Sequence, residues 1–138
     1  MAALVMDVPA APFSAGVVRR RLRDHLIAVA DVELDSVVLA TSEVVTNALL
    51  HGEGRVMVEV RPRADGVRVE VTDQGRRRPH VRRVHGDEDE SGRGLHIVEM
   101  LTSRWCVTPS TSGPGKTVWF ELDSTPRAGR GSLTQVRE

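Results

Sequence analysis

Residues 33–52 read ELDSVVLATSEVVTNALLHG. Plotted at 100° per residue, Leu34, Val37, Thr41, Val44, Val45 and Ala48 gather on one side, a stripe that predicts a helix from about 33 to 51 lying on a sheet. Gly52 is a natural stop signal for it. Glu43 and Asn47 fall on the opposite side at i, i+4, so their side chains start ~5–6 Å apart. The small Ser36 and Ala40 and the apolar Leu39 and Leu50 surround them, which suits the floor and wall of a pocket. An amide oxygen at Asn47 is a hard ligand of the kind Mg²⁺ takes beside substrate phosphates. A carboxylate one turn away, at Glu43, can accept a proton from a nearby hydroxyl or water. The helix alone fits an ordinary polar surface equally well.

On the N-terminal side, residues 3–8 predict an edge strand ended by Pro9 and Pro12, and residues 14–30 a helix capped by Ser14. On the C-terminal side, RVMVEVRP (55–62) and VRVEVTD (67–73) alternate as strands around the Asp65-Gly66 turn signal. The polar stretch 74–91 carries five arginines and then the acidic run Asp87–Glu90, the pattern of a lid or a disordered loop. Gly92 and Gly94 are expected to open a short helix reaching about 103, followed by the strands RWCVTP and KTVWFEL. This order is not the alternation of a doubly wound parallel sheet. It predicts an α+β fold, a two-layer α/β sandwich with a mixed, mostly antiparallel sheet and helices on one face. One domain is expected over residues 1–123, with a disordered tail over 124–138.

Three glycine-bearing pieces carry further chemistry. Asp73 ends a strand, where its carboxylate can accept from an exocyclic amine such as that of adenine, and Gly75 lets a ring approach the backbone. Gly92-Arg93-Gly94-Leu95 precedes a predicted helix, where backbone N–H groups favour phosphate. Gly115-Lys116-Thr117 is not a phosphate-binding P-loop: Ser110 stands where the first glycine belongs, and a strand follows instead of a helix. A tight turn between strands is the better reading, with Thr117 within reach of a phosphate.

In this order, E-x-x-x-N, D-x-G, G-x-G and a G-K-T turn resemble the GHKL ATPase superfamily. SEVVTNALLHG is similar to the asparagine box of bacterial anti-sigma-factor serine kinases, and SGRGLHIVEMLTSRW with GKTVWFEL resembles their C-terminal half. The resemblance runs from about residue 10 to 122. It implies a histidine-kinase-like ATPase fold that binds ATP and Mg²⁺. It implies Asn47 as the Mg²⁺ ligand, Asp73 and Gly75 at adenine, and Gly92, Arg93, Gly94 and Leu95 at the phosphates. It also implies Glu43 as the general base for a serine hydroxyl on a partner protein. In this branch the partners are a sigma factor and an anti-anti-sigma protein of the STAS class, and members often form homodimers. One departure stands out: the usual D-x-G-x-G box has Arg77 in its last position. That motivates an alternative, a nucleotide-dependent regulatory clamp with negligible phosphotransfer.

Composition narrows the remaining classes. The chain has 138 residues, 40% hydrophobic and 28% charged, with formal net charge zero. Zero net charge and the absence of Tyr argue against direct nucleic-acid binding through the arginine loop. Cys106 is the single cysteine, so no internal disulfide or cysteine metal cluster forms, and it is expected as a small core residue. His80 and His85 sit in the polar loop, where nothing fixes a metal geometry. No apolar run approaches a membrane span and the N-terminus lacks a signal-peptide pattern, so a cytoplasmic protein is expected.

Overall fold

A computed structural model describes residues 3–11, 13–27, 31–75, 90–110 and 113–124. Its order is β1 (Leu4–Val8), α1 (Ser14–Leu26), α2 (Leu34–His51), β2 (Val56–Arg63), β3 (Gly66–Asp73), α3 (Glu90–Leu101), β4 (Arg104–Pro109) and β5 (Lys116–Asp123). The strands form one sheet in the order β1-β2-β3-β5-β4, and all of these pairings are antiparallel. The α+β two-layer fold expected from the residue pattern is the fold observed. The arginine-rich loop from Arg76, including Arg77, His80, His85 and Asp87, and the tail from residue 125 lie outside the described residues.

The period-2 alternation of the strands explains why one face is covered. Val56, Val58 and Val60 on β2, Val67, Val69 and Val71 on β3, and Val118 and Phe120 on β5 are buried. Three helix stripes meet them: Val18, Leu22 and Leu26 of α1, Val37, Val44, Val45 and Ala48 of α2, and Val98 of α3. With Phe120 as the one buried aromatic, β-branched residues pleated against helical Leu and Val fill the interior. Helix α2 is the central helix of its layer, packed on both other helices and on β2 and β3.

Local details depart from expectation at three places. Ser14 does not cap α1: it is the first helical residue, and its hydroxyl donates to the Pro9 carbonyl. The hairpin between β2 and β3 turns on Ala64-Asp65, with Gly66 already paired to Arg63. Cys106 is exposed rather than in the core, because its strand neighbours Trp105 and Val107 take the inward positions.

Among the described residues, the other face of the sheet carries charge instead of helices. Glu121 accepts from Arg104 Nε at 2.9 Å and from Arg68 Nη1 at 2.9 Å, and pairs with Arg63. Arg68 also donates to Glu70 at 2.7 Å and lies 4.0 Å over the Trp119 ring. Among the described residues no helix is long and apolar enough to cross a membrane.

The Glu121 carboxyl is held below its ordinary pKa, chiefly by the Arg104 hydrogen bond. The Arg68 hydrogen bond and the charges of Arg63 and Arg68 reinforce this against desolvation. A carboxylate depressed by folding stabilises the native state above its unfolded pKa of about 4.3. That contribution is lost as pH falls through the lower native value. The stability difference between wild type and Glu121→Gln, measured by urea titration, should therefore be full above about pH 5 and shrink toward pH 3. A pH-independent difference contradicts this assignment.

Candidate functional site

Helix α2 carries the first half of the site. Asn47 is only 8% exposed, and its Nδ2 has no hydrogen-bond partner among the described residues. A buried amide nitrogen without a partner costs about 1–3 kcal/mol, so its persistence points to a ligand. One turn earlier, the Glu43 carboxylate reaches across to α3. A Cβ built on Gly94 would sit 2.7 Å from Glu43 Oε1, so the missing side chain of Gly94 admits that carboxylate between the helices. Thr41, expected on the sheet side, is fully buried there. Leu39 and Leu50, in contrast, are 45% and 60% exposed.

Gly92 and Gly94 do not precede α3 but lie inside it, because the helix begins at Glu90. Within the helix, the N–H groups without intrahelical acceptors thus belong to residues 90–92. Gly92 keeps a backbone donor at the helix N-terminus, whereas the N–H of Arg93 is taken up by the helix and Gly94 and Leu95 stand in the second turn. Gly94 serves close approach to α2, and Leu95 is fully buried.

The second half lies where α2 ends and β3 meets β5. Asp73 is 2% exposed, and its Oδ1 accepts from the Gly75 N–H at 2.7 Å and from Lys116 Nζ at 2.9 Å. Lys116 opens β5 directly across from Asp73 and is 6% exposed. Glycines enclose this pair. A Cβ at Gly52 would come within 2.7 Å of Asp73 Oδ2, and one at Gly115 would collide with the Asp73 carbonyl oxygen. Gly115 also has φ +123°, a conformation other residues rarely adopt. Gly52 caps α2 with extended backbone, so steric approach to Asp73, not a left-handed turn, accounts for glycine there. The loop after α2 is stitched to the end of β3 by Gln74 N–H to the Glu53 carbonyl at 2.8 Å and Arg55 N–H to Gln74 Oε1 at 3.1 Å.

Thr117 is not brought to this cluster. Its hydroxyl meets that of Thr72 at 2.7 Å on the opposite, charged face of the sheet, while its neighbour Lys116 takes the inward position. Lys116 escaped the sequence reading because alternation along β5 cannot be phased until the strand's first residue is known. The signal available was its status as the only lysine in the chain. His51 is exposed at the end of α2, and His96 is exposed with Nδ1 3.9 Å from Glu99. Among the described residues no three His, Cys, Asp or Glu side chains gather as metal ligands.

Residues 8–122 match the profile of the histidine kinase-like ATPase domain. The chain belongs to this family. Among solved structures it is similar to the RsbU and RsbW domains of Rv1364c from Mycobacterium tuberculosis, at 24% identity and TM-score 0.68. That match covers 91% of this chain and 33% of the other, so the chain spans about a third of that protein's length and the likeness is one of fold. A search of curated proteins gave no match.

The two glycine contacts differ in what must yield. Alanine at Gly115 forces strained φ against a backbone oxygen and should cost about 1–3 kcal/mol in urea unfolding. Alanine at Gly94 meets only the flexible end of Glu43 and gains helix propensity, so stability should stay within about 1 kcal/mol of wild type. Equal losses at both positions contradict the distinction.

Proposed function

We propose that the chain is an ATP-dependent protein serine kinase that also acts as an anti-sigma factor. It would phosphorylate a STAS-type anti-anti-sigma protein and sequester a sigma factor. The observation that carries the nucleotide part is the buried, unpartnered amide of Asn47 one helical turn from a carboxylate held between α2 and α3. Family membership supports ATP binding. The resemblance of SEVVTNALLHG to the anti-sigma-factor kinases supports the partners.

The geometry suits an elongated anion with a heterocycle at one end. Along α2, Glu43 and Gly52 are separated by nine residues, about 14 Å of helix axis. Asp73 stands at the Gly52 end, ready to accept from the exocyclic amine of adenine, with Gly75 beside the ring. The N-terminus of α3, with a backbone donor at Gly92, stands at the phosphate end. Asn47 lies between. Either orientation of its amide presents an end that the described residues do not satisfy: the nitrogen suits a phosphate oxygen and the oxygen suits a hard cation. Mg²⁺ bound there would supply charge neutralisation at the phosphates. Glu43 would accept the proton of a partner serine hydroxyl as its oxygen attacks the terminal phosphorus, the bond from that phosphorus to the bridging oxygen breaks and ADP leaves.

A second reading has one specific support, Arg77 in place of a glycine beside the nucleotide box. Under it the protein binds nucleotide and clamps its partner without transfer. Incubation with ATP, Mg²⁺ and STAS-domain proteins separates the two, since phosphoserine on a partner appears only under the first. Glu43→Gln should abolish transfer, a loss of at least about 100-fold, while leaving Mg-ATP affinity within a few-fold. Asn47→Ala should remove calorimetrically detectable Mg-ATP binding. Transfer that survives Glu43→Gln removes Glu43 as base, and unchanged ATP affinity in Asn47→Ala removes the metal-phosphate assignment.

A further inference from the structure

Lys116 is the only lysine of the chain, and it is buried. Lysines ordinarily extend the ammonium to water along an apolar stem, and full burial is rare without a partner. Here the partner is Asp73, at 2.9 Å, with the two side chains 8% and 3% exposed. Such a pair is a poor device for stability alone. Desolvation of both charges offsets most of their attraction, and apolar residues of similar volume often do as well. The place of the pair says more. It occupies the floor of the glycine-walled cluster between the end of α2, the turn after β3 and the start of β5.

The pair presents an acceptor and a donor side by side. A carboxylate accepts only, whereas an ammonium carries three donors and accepts nothing. Among the described residues the hydrogen bond of the ammonium goes to Asp73 Oδ1, which leaves donors for a ligand. Adenine presents the complementary couple on one edge, the N6 amine as donor beside N1 as acceptor. From this geometry, and resting on the nucleotide reading above, we propose that Lys116 is a base-reading residue whose ammonium donates to adenine N1 while Asp73 accepts from N6. The pair is then a two-point reader assembled before the ligand arrives, so neither charge has to be reorganised when the base enters.

The test compares Mg-ATP with 1-deaza-ATP, in which a C–H replaces N1, by calorimetric titration of the full chain. Wild type should bind the deaza analogue about 10- to 100-fold more weakly, because a charged donor loses its acceptor. In Lys116→Met that ratio should fall to within about twofold, whatever the absolute affinity. The wild-type comparison requires no variant to fold. If Asp73 without its counter-ion unfolds Lys116→Met, the double variant Asp73→Asn/Lys116→Met removes that charge and carries the same comparison. Equal binding of the two nucleotides by wild type overturns the role of Lys116 and leaves the nucleotide reading intact. A full discrimination ratio retained in either variant also overturns it. Absence of Mg-ATP binding by wild type overturns this proposal together with the nucleotide reading.

Discussion

A buried carboxylate and a buried ammonium meet at the corner on which the candidate site depends. Asp73 ends β3, Lys116 begins β5, and the two face each other across an antiparallel pair with their charges 2.9 Å apart. The Gly75 N–H adds a second bond to the same oxygen, so the chain just after β3 is drawn in around the carboxylate. None of this is possible with ordinary side chains nearby. Gly52 and Gly115 come so close to Asp73 that a single methyl group would collide with it. The local composition is thus a steric consequence of bringing Gly52 and Gly75 against the Asp73 carboxylate and Gly115 against its backbone carbonyl.

The remainder of the site follows from α2. Its apolar stripe, buried against β2 and β3, fixes the helix rotation, and that rotation decides where Glu43 and Asn47 point. Helix α3 then packs on the same helix, with Gly94 conceding room for the Glu43 carboxylate. Charge and burial are partitioned accordingly. The covered face of the sheet is almost entirely Val, Met and Phe, whereas the uncovered face is bound by arginine–glutamate pairs centred on Glu121. Asp73 and Lys116 are the ionisable pair on the covered side, and they sit at the end of their strands where the apolar layer stops.

Much of this was legible in the residue pattern because the elements obey clean periodicities. The 3.6-residue repeat of α2 and the strict alternation of β2 and β3 left little freedom in type or facing. The E-x-x-x-N spacing marked the candidate side of α2, and the structure adds the amide nitrogen of Asn47, which has no partner among the described residues. What was not legible depended on contacts distant in sequence or on the exact first residue of an element. The start of α3 at Glu90 moved Gly94 from a helix opening to a helix–helix contact. The start of β5 at Lys116 turned Thr117 to the charged face and Lys116 inward, the reverse of what a G-K-T turn suggests alone. Cys106 was exposed for the same reason, since the phase of β4 is set by Trp105. Gly52 carried its stop signal correctly, but the steric demand of Asp73 behind it appears only in three dimensions.

The central claim is that α2, the end of β3, the start of α3 and the start of β5 form one nucleotide site. Amide hydrogen exchange with and without saturating Mg-ATP tests it most directly. Residues 43–52, 72–75 and 92–98 and the β5 start around Lys116 should be protected together, with the β1 edge and α1 unchanged. Exchange unaltered throughout these four segments, or protection confined to α1 and β1, would contradict it.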